Sequence, residues 1–343
     1  MKAVGFLEHG GLERLQVIEV PKPQLAPGEV LIRVRACALN HLDLWVREGL
    51  PGLKLPLPHV LGSDVAGEVA EVGPGVTDPE VGVRVLVNPG ASCGDCEWCI
   101  VGEDPLCASY RILGEHVHGG YAEFVKVPAR SCVELPTDFD YVKAAAAPLV
   151  FMTAWRALIN RAKIRPGEDV LILGAGGGVS TAAIQIAKYA GCTVFTTSSS
   201  DEKLRMAKDI GADVLINHAQ MEFEKAVWEL TGKRGVDVVL EHVGEQTFER
   251  SFRALAKQGR LVFCGATTGP TAKFDLRRGF WRQVNILGST MASQKEFEDV
   301  MKLVLRRKLT PVVDRTYPLE KARDAQQRLA KGEHFGKIVL TVD

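Results

Sequence analysis

Four of the eight cysteines lie within one short stretch of the sequence. Cys93, Cys96, Cys99 and Cys107 follow the pattern C-x2-C-x2-C-x7-C, whereas the other four are scattered. Zinc binds four thiolates tetrahedrally, and closely spaced cysteines on a loop can surround it. An iron–sulfur run would place its fourth cysteine after three residues, and a reducing compartment disfavours disulfides. Since four thiolates leave no open coordination position, we predict one structural zinc per chain.

A glycine-rich turn stands between a predicted strand and a predicted helix. Val170–Leu173 leads into the turn, and Thr181–Ala190 has a helical pattern. This order is the context that a dinucleotide fingerprint requires, and N–H groups at the helix start can hold a pyrophosphate. The alternative is a glycine-rich turn that binds no ligand. The residues predicted to approach the cofactor are Gly174, Gly176, Gly177, Gly178 and Val179.

The end of the next strand indicates which nicotinamide cofactor fits. An NAD site usually has an acid about twenty residues after the glycines, and Ser198 occupies that place here. An uncharged hydroxyl beside Lys203 suits a 2′-phosphate, so we predict NADP(H) rather than NAD(H), with His218 as a further cofactor contact. The alternative is that Ser199 and Glu202 form a helix capping box while Lys203 points to solvent.

The elements that must position these residues change character along the chain. The first 130 residues contain short, Val-rich strands bounded by Gly or Pro, which favours a β-barrel-like domain. A helical pattern covers 141–160. From Asp169 onward, strands alternate with helices, as in a doubly wound parallel sheet. The barrel strands are predicted at Val17–Val20, Glu29–Ala36, Gly67–Val72, Arg84–Asn88 and Tyr121–Val127.

Composition restricts the class of protein. The chain has 343 residues, 42 basic and 42 acidic side chains, and no net charge. This length suggests two domains, and the balanced charge gives no reason to expect nucleic acid or an anionic membrane as a partner. No apolar run reaches the ~18–20 residues of a membrane span, and the N-terminus lacks a signal-peptide pattern. We therefore expect a cytoplasmic protein that acts on a small molecule.

The order of these features resembles the medium-chain dehydrogenase/reductase superfamily. The resemblance rests on the early barrel, the cysteines at 93–107, the glycine turn at 174–180 and the terminal Gly336–Leu340 segment, and it covers essentially the whole chain. It implies an α/β protein with a GroES-like β-barrel domain and a Rossmann domain, with the cofactor in the cleft between them. The implied bounds are 1–150 and 291–343 for the GroES-like catalytic domain, 90–110 for its structural-zinc lobe, and 151–290 for the Rossmann domain.

The resemblance also implies assembly. Edge strands of the Rossmann sheet, here around Ile286–Met291, are expected to pair across a two-fold axis. We therefore expect a homodimer or a homotetramer.

The motifs of the catalytic zinc depart from the alcohol dehydrogenases of this family. Those enzymes carry Cys-x-Ser/Thr-Asp, Gly-His-Glu, and a Cys or Asp that opens a helix. By motif, the three ligand positions fall on Asn40, Ser63 and Leu149, and the relay hydroxyl becomes Leu42. Asn, Ser and Leu are poor zinc ligands, so we predict that the catalytic zinc is absent. Only Asp43 keeps its type.

The same stretches resemble the quinone oxidoreductase branch of the family. That resemblance implies that Asn40 contacts the nicotinamide or substrate, that Asp43 supports it, and that His41 reaches the pyrophosphate. Ser63 and Asp64 complete the predicted catalytic set. The predicted activity is NADPH-dependent hydride transfer to enones or quinones.

Two other functions stay open. A second metal site could form from His41, His59, His116 and His118 with Asp64, which would favour an alcohol dehydrogenase with a non-standard metal site. A non-catalytic NADPH-binding or sensor protein is the other alternative. The sequence does not identify the substrate.

Overall fold

The computed structural model describes all 343 residues. The chain divides into two compact units, Met1–Val150 with Ala292–Asp343, and Phe151–Met291. Each unit has its own hydrophobic core. No helix has the length and apolar character needed to cross a membrane.

The first unit begins as an antiparallel β-structure, as its short Val-rich runs predict. Its strands are β1 (Lys2–Phe6), β2 (Gln16–Glu19), β3 (Glu29–Ala38), β4 (His59–Val60), β5 (Asp64–Val72), β6 (Arg84–Val87), β7 (Gly90–Ala91), β8 (Arg111–Ile112), β9 (Phe124–Pro128) and β10 (Cys132–Glu134). The helices of this segment are α1 (His41–Glu48), α2 (Glu97–Ile100) and α3 (Tyr141–Ala145), and α4 (Pro148–Trp155) begins in this unit and ends in the second.

The second unit is the predicted doubly wound α/β structure. Its six strands are all parallel and lie in the order β13-β12-β11-β14-β15-β16. The strands are β11 (Asp169–Ile172), β12 (Thr193–Ser198), β13 (Val214–Asn217), β14 (Val236–Glu241), β15 (Leu255–Phe263) and β16 (Asn285–Gly288). The helices are α5 (Gly178–Tyr189), α6 (Asp201–Asp209), α7 (Phe223–Leu230), α8 (Phe248–Ala254) and α9 (Leu276–Arg282). The fold class predicted from the sequence is confirmed.

The chain then returns to the first unit and completes its main sheet. The returning elements are α10 (Gln294–Leu305), β17 (Val313–Pro318), α11 (Ala322–Ala330) and β18 (Lys337–Thr341). Strand β18 pairs with β3, with Val339 opposite Ala38, and β3 pairs with β5, with Ala38 opposite Asp64. The start of β18, the end of β3 and the start of β5 therefore meet at one place.

Several elements differ from the sequence pattern. The sequence pattern does not indicate β1, α1 or α9. The helix predicted over 141–160 is divided into α3, α4 and a π-helix at Arg156–Arg161. Pro148 explains the break, because proline has no N–H to donate within a helix but is well suited to its first position. The cap of α6 also differs: Ser200, not Ser199, accepts from the backbone N–H of Lys203 at 3.3 Å.

Candidate active site and metal site

A buried polar triad lies where β3, β5 and β18 meet. Lys337 Nζ donates to Asn40 Oδ1 at 2.6 Å and to Asp64 Oδ2 at 2.9 Å. Asn40 Nδ2 donates to the same carboxylate oxygen at 2.9 Å. All three side chains are buried, Asp64 completely. Because an ammonium group can only donate, the amide oxygen of Asn40 must face Lys337 and its NH2 group must face Asp64.

Asp43 fixes the backbone on two sides of this triad. Its carboxylate accepts from the backbone N–H of Asn40 at 2.7 Å and of Gly62 at 3.2 Å, and from the Tyr121 hydroxyl at 3.0 Å. Burial raises the pKa of Asp43 to about 6. Gly62 has a φ of +101°, and a Cβ there would lie 2.4 Å from the Tyr121 ring, so a side chain would not fit. Asp43 thus holds the turns that carry Asn40 and Asp64.

The two other positions matched to metal ligands carry groups that bind zinc poorly. Leu149 contributes its backbone N–H, which donates to Asp64 Oδ1 at 2.7 Å. Ser63 Oγ is buried and has no hydrogen-bond partner. Cys37 belongs to the core of the first unit, and burial raises the pKa of its thiol well above the usual value.

The histidines do not assemble a second metal site. The cysteine cluster is the single group of three or more His, Cys, Asp or Glu residues whose ligand atoms lie together. His59 is fully buried, and this burial lowers its pKa to about 4. His116 and His118 each accept a backbone N–H bond at Nδ1. His41, at the start of α1, lies near the ring of His334, with 6.4 Å between centroids.

The four cysteines of the lobe converge as a metal site would require. The Sγ atoms of Cys93, Cys96, Cys99 and Cys107 lie within 4.8 Å of one another. Individual separations are 3.5 Å for Cys96–Cys99 and Cys93–Cys107, and 3.8 Å for Cys93–Cys99. A tetrahedral zinc ion with bonds of about 2.3 Å places its sulfurs about 3.8 Å apart. The cluster therefore fits a structural zinc whose four ligands all come from this chain.

The glycine turn lies between β11 and α5, as the sequence indicates. Gly174 has a φ of +64°, which favours glycine, and Gly177 is the N-cap of α5. At the third small position of the fingerprint, Ser180 Oγ donates to the carbonyl of Leu173 at 2.8 Å and lies 3.0 Å from His242 Nε2. The first N–H groups of α5 have no acceptor within the helix, and such groups can hold a phosphate. The turn fits a dinucleotide.

The ends of β12 and β13 are joined beside this turn. Ser198, the last residue of β12, is buried and accepts from the backbone N–H of Ser200 at 3.1 Å. The backbone N–H of His218 donates to the Ser198 carbonyl at 3.0 Å. Asn217 Nδ2 donates to Asp201 at 2.6 Å, so the acid that follows the strand already has a partner.

Two buried charged residues at strand ends were not identified from the sequence. Lys337 is the only charged residue of β18 and opens that strand, and Glu241 ends the Val-rich strand β14. Glu241 is fully buried and accepts from the backbone N–H of Val243 at 2.7 Å and from Ser251 Oγ at 2.6 Å. Charged residues are rarely buried without partners, so a charge at the end of a strand rich in Val, Ile and Leu is the signal that would have found both.

Comparison with protein families covers both units. The family model described as alcohol dehydrogenase GroES-like domain matches residues 26–137. The model described as zinc-binding dehydrogenase matches residues 178–306.

Individual relatives extend over nearly the whole chain. An alcohol dehydrogenase of Geobacillus stearothermophilus is 35% identical over 330 residues, which covers 95% of each chain. An acryloyl-coenzyme A reductase of Metallosphaera sedula is 35% identical over 344 residues, 99% of this chain and 100% of that protein. The crystal structure of an NAD-dependent alcohol dehydrogenase is 46% identical and superimposes with a TM-score of 0.95 over 100% of both chains.

Proposed function

The chain belongs to the zinc-type medium-chain dehydrogenase/reductase superfamily, and on this premise we propose that it is an NADPH-dependent reductase of enones or quinones. In this proposal the protein carries a structural zinc and no catalytic zinc. One observation carries the proposal: the amide of Asn40, at the first ligand position, is bonded to both Lys337 and Asp64. Its oxygen is therefore occupied by an ammonium group.

The choice between reactions follows from what each requires. Alcohol oxidation needs the hydroxyl proton removed, and zinc assists as a Lewis acid on the bound oxygen. With Asn40, Ser63 and Leu149 in the ligand positions and Leu42 at the relay position, neither the Lewis acid nor the proton path is supplied. A conjugated double bond is already electrophilic and has no such requirement. The ligand positions therefore favour reduction of a conjugated substrate.

Asn40 supplies the polar group for this reaction. The bound nicotinamide would supply a hydride to the β-carbon of the enone, and the displaced electron pair moves to the carbonyl oxygen. Asn40 Nδ2 carries a second hydrogen besides the one donated to Asp64, and we assign it to that oxygen. A donor aimed at developing negative charge lowers the barrier. Asp43 holds the backbone of Asn40 in place. After hydride transfer, the enolate carbon would take its proton from water.

The pocket after β12 supports NADPH. Ser198 offers a hydroxyl where an NAD site usually has an acid, and Lys203 lies in the first turn of α6. The carboxylate of Asp201 is bonded to Asn217, so the nearest acid is engaged elsewhere. A 2′-phosphate would then meet a hydroxyl and a cation.

Relatives of both reaction classes are similar to this chain. The acryloyl-coenzyme A reductase bears the name of a substrate with a double bond conjugated to a thioester carbonyl. This name supports the conjugated class, while the alcohol dehydrogenases support the competing function.

A turnover panel tests the proposal. Small enones, acryloyl-coenzyme A, quinones and primary alcohols are each assayed with NADPH and with NADH, before and after exhaustive chelation. We expect oxidation of NADPH with at least one enone or quinone, insensitive to chelator, and little or no alcohol oxidation. Robust alcohol oxidation that chelation abolishes would overturn the proposal in favour of an alcohol dehydrogenase. Cofactor binding without turnover of any substrate would favour a sensor.

A further inference from the structure

We propose that Lys337 is a positioning residue for the reaction, which holds and polarises the Asn40 amide so that Asn40 presents N–H rather than oxygen to the substrate. The inference deepens the proposed function and rests on it, because it takes Asn40 as the donor to the substrate. Its basis is the contact of Lys337 Nζ with Asn40 Oδ1 at 2.6 Å, the shortest bond of the triad.

The side-chain amide of asparagine has two possible orientations, which occupy nearly the same space. Oxygen and NH2 exchange places when the amide turns by 180°, and only the hydrogen-bond partners distinguish the two states. Lys337 accepts nothing, so it requires the oxygen, and the Asp64 carboxylate requires the NH2 group. With the ammonium removed, only one of these two constraints would remain.

The same contact makes the amide a stronger donor. The cation at the oxygen withdraws electron density from the amide nitrogen, and this makes the N–H groups of that nitrogen stronger hydrogen-bond donors. The triad is buried, with Asn40 6% exposed and Lys337 3% exposed. Solvent therefore screens this polarisation weakly. The second N–H of Asn40 is the group that gains.

The fold places the ammonium with little freedom. Gly336 has a φ of +89°, and a Cβ there would lie 2.4 Å from the carbonyl of Val312. Lys337 follows this turn directly, and the backbone N–H of Leu39 donates to the carbonyl of Ile338 at 2.9 Å. The backbone register of β18 on β3 therefore places residue 337 beside residue 40, whatever side chains the two positions carry.

A double-mutant cycle tests the inference. Lys337→Met, Asn40→Ala and the double variant are assayed with the enone or quinone that the wild type reduces, together with the dissociation constant for NADPH. We expect each single variant to lower kcat about 10–100-fold. The kcat of the double variant should be no more than threefold below that of the less active single variant. The dissociation constant for NADPH should change less than threefold. Lys337→Arg should restore most of the activity. Lys126→Met, at an exposed lysine of the same unit, is the matched control.

Three results would overturn it. Losses that multiply in the double variant would mean that Lys337 and Asn40 act independently. An effect of Lys337→Met confined to NADPH affinity would make the lysine a cofactor contact, and failure of Lys337→Arg to rescue would exclude the charge as the cause. If Lys337→Met does not fold because the buried Asp64 carboxylate loses its cationic partner, the variant that combines Lys337→Met with Asp64→Asn removes both charges and replaces it in the cycle.

The inference and the proposed function fail in different experiments. A wild type that reduces no enone or quinone contradicts the proposed function, and the cycle is then measured on whichever substrate class does turn over. The same four proteins are also unfolded in urea. Coupling of the two residues in the unfolding free energy is expected whatever the substrate, and additive values would contradict the contact itself.

Discussion

The backbone N–H of Leu149 donates to Asp64 Oδ1 at 2.7 Å and joins the first turn of α4 to the start of β5. The other oxygen of Asp64 accepts from both Lys337 and Asn40. Both carboxylate oxygens are thus engaged within the first unit. The leucine that stands at the third ligand position serves through its main chain, because the carboxylate accepts an N–H from the first turn of α4, which begins at Pro148.

Metal content should be one zinc per chain, bound by the cysteine cluster. Cys96→Ser should lose that zinc and lower the thermal midpoint by about 5–10 °C, because the site contributes folding energy. Elemental analysis and calorimetry measure the two effects. Cys264→Ser, outside the cluster, should keep the metal. Two zincs per chain in the wild type would contradict the absence of a catalytic zinc.

Cofactor preference should depend on Ser198. NADPH should bind more tightly than NADH, and Ser198→Asp should reverse this order because a carboxylate repels the 2′-phosphate. Lys203→Ala should weaken NADPH binding and leave NADH nearly unchanged, as measured by fluorescence titration. Lys208→Ala, in the last turn of the same helix, is the control. Equal losses for both cofactors would show that Lys203 does not contact the phosphate.

The second unit should assemble through its edge strand β16. One edge of β16 has no strand partner, and α9, which leads into it, exposes Phe280 by 69% and Trp281 by 80%. Uncovered apolar groups beside a strand edge promote association. Light scattering at micromolar concentration should give twice or four times the mass of one chain. Ile286→Lys should shift the protein toward monomer, and the control Leu230→Lys on α7 should not. A strictly monomeric wild type would refute the predicted assembly.

Asn40→Ala should lower kcat/KM for an enone or quinone by about 10–100-fold. This corresponds to about 1.4–2.7 kcal/mol, the value of one well-placed hydrogen bond in the transition state. The thermal midpoint reports any accompanying loss of stability. Asn285→Ala, at an exposed position of β16, should leave kcat/KM unchanged. An unchanged rate in Asn40→Ala would remove Asn40 from the reaction.

Acid should destabilise the first unit through His59. Burial lowers the pKa of His59 from 6.5 to about 4, so between these values the unfolded chain binds a proton that the folded protein does not. The stability that neutral His59 contributes is complete above pH 6.5 and is lost as the pH falls toward 4. The difference in unfolding free energy between the wild type and His59→Asn should therefore narrow as the pH falls from 6.5 to about 4. Leu61→Ala removes no titrating group and is the control. If its difference in unfolding free energy from the wild type narrowed equally as the pH fell, the assignment to His59 would be contradicted.

Local order along the chain was enough to predict much of this protein. The spacing of Cys93 to Cys107, the strand–glycine turn–helix order at 174–180 and the alternation after Asp169 involve residues close in sequence. Such patterns can be interpreted without knowing the fold, because residues close in sequence set the geometry of a zinc loop and of a phosphate-binding loop. The fold class could be predicted for the same reason.

The polar triad could not be predicted in this way. Lys337 and Asn40 are 297 residues apart, and they meet because β18 returns to pair with β3. From the sequence, Lys337 was one residue of a family-like terminal segment, and Asn40 stood at the position of an absent metal ligand and was expected to contact the nicotinamide or substrate. Tertiary pairing turned them into a buried donor and acceptor. Burial made the charge of Lys337 matter, because a charge in water is screened and a charge in the core must be paired.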